Sequence, residues 1–241
     1  MRKVLIAGGD SWTDPDYATL EHPDMDCSWA KWPELLAEKL DMDCINLGFD
    51  GAGNKHIYTS IVDQIQIMDS ADIGLVIPAW SQVQRMDIKV RDVWRNVDPP
   101  PQNPPYTPSI VRHGDITHRL QESILYYYSL QEICKSNNIP ILQFQMLPLF
   151  QGYNWNMITK KHDDSDGTND KSLLQTICDS VYLDKIGHNF AGWPGESRIG
   201  GYNIQMNVIG GLYGPDVISN LDPHPNAKGQ IKIAEFMHGK I

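Results

Sequence analysis

The chain has 241 residues, 41% of them hydrophobic and 21% charged, with a formal net charge of −10. That length suits a single α/β domain spanning 1–241, and the composition excludes a mostly disordered chain. The negative balance argues against nucleic acid and anionic membrane as partners, because both are gripped through clustered positive charge.

No apolar run reaches bilayer length. The four apolar residues Val4 to Ala7 are too few for a signal peptide, so they read as a buried strand and a cytoplasmic protein is expected. Cys27, Cys44, Cys134 and Cys178 are scattered and form no CxxC pair. Neither a disulfide scaffold nor a zinc site is expected from that spacing, and no cofactor motif appears.

In chain order, Val4 to Ala7 forms a first strand closed by Gly8-Gly9. Trp29, Trp32, Leu35, Leu36 and Leu40 recur at helical spacing over 28–40, with Pro33 tolerated in the first turn. Asp43 to Leu47 is a second strand running into the glycine-rich turn 48–53. Ile57, Ile61, Ile65 and Met68 mark a second helix, and Ile73 to Ile77 a third strand. This alternation implies a parallel sheet with right-handed crossovers.

Six prolines between 98 and 108 forbid regular structure there, which suggests a surface loop inserted at about 90–115. A third helix is expected over 116–137 and a fourth strand over Ile139 to Phe144. The stretch 151–220 is irregular and reads as a second insertion with one helix at about 169–180. A final helix, 226–238, closes a three-layer α/β/α domain with two loop insertions.

Ligands on open parallel sheets bind at the carboxyl ends of the strands. Three polar segments meet there: Gly9-Asp10-Ser11 after strand one, Asn46 to Gly53 after strand two, and Trp80-Ser81-Gln82 after strand three. Asp222-Pro223-His224-Pro225 precedes the last helix. A serine, a histidine with a nearby aspartate, and glycines with bare N–H groups form the set that acyl transfer needs. Taken singly, each is ordinary: a serine after a strand is more often a helix cap, and Asp-Pro-His-Pro is a plausible helix-starting turn.

Together, in order, these blocks resemble the SGNH (GDSL-type) hydrolase family. Gly9-Asp10-Ser11 stands at the family's nucleophile block and Trp32-Pro33-Glu34-Leu35-Leu36 is similar to its first-helix motif. In Asn46-Leu47-Gly48-Phe49-Asp50-Gly51, Gly51 falls on the oxyanion-hole glycine. Asp222-Pro223-His224 falls on the terminal Asp/His block.

The resemblance implies a flavodoxin-like fold and a serine ester hydrolase with Ser11, His224 and Asp222 as its triad. It places Ser11, Gly51 and Ser81 in the oxyanion hole. Ser81 stands where the family has an asparagine, and the literal Gly167-Thr168-Asn169-Asp170 comes too late in the order to replace it. The aspartate lies two residues before the histidine rather than three, as in members from phages and marine viruses; Asp216 is the fallback.

Trp12, Trp80, Arg85 and Trp193 are candidate substrate contacts. Each has a blander reading: Arg85 as the ion-pair partner of Asp87 at a helix start, the tryptophans as core anchors. The implied substrate is a small-molecule or glycan ester, preferably a carbohydrate O-acyl or O-acetyl ester. Two other readings stay open, a catalytically degenerate binding or virion structural module and an O-acetyltransferase.

Overall fold

The computed structural model describes residues 2–97, 114–150, 155–156, 161–162 and 170–241. Five strands form a parallel sheet: β1 (Val4–Gly8), β2 (Asp43–Asn46), β3 (Ile73–Trp80), β6 (Gln143–Gln145) and β9 (Phe190–Ala191). Between β3 and β6 an antiparallel hairpin joins β4 (Met86–Val90) to β5 (Val93–Val97), and β7 (Trp155–Asn156) pairs with β8 (Lys161–His162). The sheet order is β2-β1-β3-β6-β9. Helices α1 (Trp32–Lys39), α2 (Asn54–Gln66), α3 (Ile116–Ser136), α4 (Asp170–Cys178) and α5 (Ala227–His238) cover it.

Alternation along the strands builds two cores. Ile6, Val76 and Trp80 point to one face, where they meet Ile57 and Ile61 of α2, Leu120 and Tyr127 of α3, and Leu173 of α4. Leu5, Ala7, Leu75 and Ile77 point to the other and meet Trp32 and Leu36 of α1 and Ile233 and Met237 of α5. A fully buried aliphatic side chain contributes about 1.5–3 kcal/mol, against about 1 kcal/mol for a hydrogen bond. The cores therefore hold the fold, and the polar strand ends are left for chemistry.

The chain order of the sheet reverses between β1 and β3. α1 crosses on one face and α2 on the other, so β1 and β3 flank the switch point at whose carboxyl ends such sheets bind ligands.

The expected elements are present with shifted ends. α1 begins at Trp32 rather than 28, with Pro33 in its first turn. β3 runs on to Trp80, and the fourth strand keeps its ladder only at Gln143–Gln145, Ile141 making an isolated bridge to Val76. Two corrections matter for the site. The chain after Arg85 enters the β4–β5 hairpin, not a helix. The stretch 151–220 is only partly an insertion, because it supplies α4 and the sheet strand β9. The proline run 98–108 and residues 167–169 of the late Gly-Thr-Asn-Asp lie outside the described residues. Among the described residues no helix is long and apolar enough to cross a membrane.

Candidate active site

The turn after β1 is built by close approach. A Cβ at Gly9 would sit 2.1 Å from Thr13 Oγ1, and one at Gly48 would sit 2.5 Å from the Thr13 backbone carbon. Only glycine lets the two loops touch in this way. Side chains from the family-like blocks then pin the turn. Trp32 Nε1 donates to Thr13 Oγ1 (3.2 Å), Asn46 Nδ2 donates to the Thr13 carbonyl (2.8 Å), and Gln230 Nε2 of α5 donates to the Trp12 carbonyl (3.1 Å).

Ser11 emerges from this turn only 4% exposed. Its Oγ lies 2.8 Å from His224 Nε2, and His224 Nδ1 lies 2.5 Å from Asp222 Oδ1. The short Asp-to-His spacing closes as an Asx turn, the His224 backbone N–H donating to Asp222 Oδ1 at 3.1 Å. Leu221, at the position the longer spacing would use, is 71% exposed. Asp216, the fallback acid, pairs with Lys232 at 2.9 Å.

Burial pushes the Asp222 carboxyl up. Hydrogen bonding involving Thr19, the His224 N–H, the imidazole and Tyr17 outweighs it and holds the carboxyl below its ordinary value. The buried Thr19 hydroxyl lies close to this carboxylate without closing a hydrogen bond of good geometry. Sequence reasoning misses Tyr17, because a tyrosine six residues beyond a Gly-Asp-Ser turn carries no distinguishing signal.

Gly51 has φ +74°, which glycine alone adopts without strain. Among the described residues, the backbone N–H groups of Ser11 and Gly51 donate to no protein group.

Ser81 is placed differently from the expectation. It is fully buried, its N–H donates to Asn54 Oδ1 (2.8 Å) and its hydroxyl donates to Asp10 Oδ2 (2.7 Å). A hydroxyl has one proton, so this serine has none left for an oxyanion. The Asn54 amide, which accepts the Ser81 N–H, donates to Ser123 and Tyr127.

Arg85 and Asp87 do not pair. Arg85 Nη1 bonds Asp10 Oδ2 and the Ala52 carbonyl, both at 3.0 Å, tying together the segments that carry Ser11 and Gly51. Asp87 accepts from the N–H groups of Gly53 and His56 at 2.9 Å each, capping α2, whose N-cap glycine has no side chain to do so.

The tryptophans belong to the core rather than to a substrate surface. Trp12 and Trp80 are 2% and 0% exposed. Trp80 Nε1 donates to Gln143, and half-buried Trp193 packs on Phe190 and donates to the Leu183 carbonyl. The exposed rings lie elsewhere. Phe49, two residues before Gly51, leans on His56, which stacks on Trp94 of the hairpin at 4.8 Å.

No protein-family model matches the chain, and no curated protein sequence matches it. Solved structures do. A lipolytic protein of the G-D-S-L family from Desulfitobacterium hafniense is similar over 99% of both chains, with 13% identity and a TM-score of 0.52. An acetyl xylan esterase, AlAXEase, overlaps 99% of each chain at 16% identity and TM-score 0.48. The psychrotrophic esterase EstA of Pseudoalteromonas overlaps 99% of this chain and 96% of its own at 13% identity and TM-score 0.48. The first of these similarities, together with the β2-β1-β3-β6-β9 sheet, gives this chain the fold of the SGNH (GDSL-type) hydrolases.

Proposed function

We propose that this protein is a serine ester hydrolase that works through an acyl-enzyme on Ser11. The observation that carries the reading is the unbroken line from Ser11 Oγ through His224 to Asp222. In this mechanism His224 Nε2 takes the Ser11 proton as Oγ attacks the ester carbonyl. Asp222 holds Nδ1–H toward itself and stabilises the imidazolium that forms. The N–H groups of Ser11 and Gly51 receive the oxyanion. The imidazolium then gives its proton to the leaving alcohol, and a water deprotonated by the same nitrogen releases the acid.

The substrate class we favour is a carbohydrate O-acyl ester. Phe49 is 45% exposed next to Gly51, and the Phe49–His56–Trp94 stack offers ring faces beside the reacting centre, suited to the apolar face of a sugar.

One observation favours a second reading, a degenerate binding or virion module. Ser81 gives its only proton to Asp10, so the hole is left with two backbone donors. A missing donor typically costs about 10²–10³ in turnover, which slows an esterase without abolishing it.

A fluorophosphonate probe and p-nitrophenyl acetate separate the readings. Wild type is expected to be labelled and to hydrolyse the ester at least about 10³-fold faster than Ser11→Ala. Equal rates and no labelling would sink the hydrolase reading.

A further inference from the structure

The Asp222–His224 loop leans on the segment just after the nucleophile. Tyr17 Oη donates to Asp222 Oδ2 at 2.8 Å and stands 2.7 Å from His224 Nδ1. Its ring stacks on the imidazole, with centroids 4.2 Å apart and planes inclined by 29°. Further along, His22 Nε2 meets Ser219 Oγ at 2.7 Å, and that hydroxyl accepts the N–H groups of Leu221 and Asp222. One strand of loop therefore braces the other at its acid and at its base.

The two-residue spacing explains why a brace is needed. Asp222 Oδ1 is shared between the His224 backbone N–H and the imidazole, so two bonds converge on one oxygen. With Oδ2 empty, the carboxylate could rotate about its last torsion, and the imidazole could turn Nε2 away from Ser11. A donor on Oδ2 locks that torsion, and a ring against the imidazole face limits its tilt. Burial, then the bond to Asp222, pushes the Tyr17 phenol up, so it stays protonated and remains a donor.

We propose that Tyr17 is a positioning residue for the Asp222–His224 pair, holding the tautomer in which Nδ1 carries the proton and Nε2 faces Ser11. This rests on the reading of Ser11, His224 and Asp222 as the reacting set. Tyr17 makes no hydrogen bond to Ser11; it acts through Asp222 and through His224, whose Nε2 meets Ser11 Oγ.

Tyr17→Phe removes the hydroxyl and keeps the ring, whereas Tyr17→Leu removes both. kcat and KM for p-nitrophenyl acetate are measured on each, with the ¹⁵N spectrum of the His224 imidazole assigned through His224→Gln. Tyr17→Phe is expected to lower kcat about tenfold, equivalent to roughly 1.4 kcal/mol, with KM within about twofold of wild type. Its spectrum should change from one Nδ1-protonated tautomer to a mixture. Tyr17→Leu should lose about tenfold more.

A kcat for Tyr17→Phe within about twofold of wild type, or a loss of kcat with the tautomer unchanged, overturns the proposal. Should wild type hydrolyse nothing, the esterase reading falls, yet the spectrum still decides Tyr17: a mixed tautomer in Tyr17→Phe supports the brace and an unaltered one refutes it. Where Tyr17→Leu fails to fold, Tyr17→Phe is sufficient by itself to decide between these outcomes.

Discussion

The two sides of the candidate site are held in place by different physics. On the nucleophile side, Ser11 rides on a turn whose position is fixed by close contact of Gly9 with the Thr13 side chain and of Gly48 with the Thr13–Asp14 backbone. Beneath it lies a buried network of Asp10, Ser81 and Arg85. On the base side, residues 215–226 form no regular helix or strand; Asp222 and His224 are held by an Asx turn, by backbone bonds from Ser219 N–H to the Asp222 carbonyl and from Ile218 N–H to the His224 carbonyl, and by side-chain hydrogen bonds from residues 17–22. The first arrangement has no slack, because a displaced backbone atom has nowhere to go. The second is a set of separate bonds, each worth about 1 kcal/mol, and it should fail gradually.

The largest effect is expected where the base side loses its charge. Asp222→Asn keeps the size of the side chain but can present an amide N–H to Nδ1, which favours the wrong tautomer. Loss of about 10³–10⁴ in kcat is expected, with the fold retained, as read by kinetics beside a thermal melt. The same variant tests the acid behaviour. Because the folded Asp222 carboxyl lies below its ordinary value, it stabilises the protein above the unfolded value. That contribution disappears as pH falls through the folded value. Asp222→Asn should show a flatter melting curve against pH in that acid range.

On the nucleophile side, Gly48→Ala should damage stability and activity together. The added methyl would meet the Thr13 carbon at 2.5 Å and the Asp14 nitrogen at 2.6 Å, both backbone atoms, so the turn carrying Ser11 has to move. A cost of about 3 kcal/mol is expected, lowering Tm by roughly 10 °C. A variant that melts like wild type would erase the contrast between the two sides.

This contrast also tracks what is legible in the sequence. Gly9, Gly48, Trp32 and Asn46 are legible because each stands in a short motif of fixed spacing, although the last three meet Thr13 from a distance in sequence. The parallel strands β1 to β3 are legible for a similar reason, their apolar runs and helical periodicities being local. Long-range pairings are not. Arg85 and Asp87 look like partners because they are two apart, yet each finds a better one across the fold, in Asp10 and in the α2 N-terminus. Ser81 aligns with a donor position, and only the buried Asp10 carboxylate beside it shows where its proton goes. β9 escapes notice because two residues in a polar, glycine-rich stretch have no period to read.

The smallest expected effect concerns the rim of the nucleophile side, where the hairpin meets α2. His56 is buried between Phe49 and Trp94, and its N–H is capped by Asp87. Burial holds its imidazole below the ordinary value, the Asp87 charge opposing this and Lys89 reinforcing it. The unfolded chain thus takes up a proton at a higher pH than the folded one does. Stability is full above the unfolded value and falls as pH drops from there toward the folded value. Wild type should therefore lose Tm relative to His56→Gln, which has no proton to gain, as pH falls below the ordinary imidazole value of about 6.5. Because His56 touches the exposed ring next to Gly51, the same acidification should loosen the Phe49–Trp94 platform before it disturbs Ser11. Tryptophan fluorescence of wild type would then change with pH more than that of His56→Gln. The same fluorescence response in both proteins would mean that the platform does not sense the His56 proton.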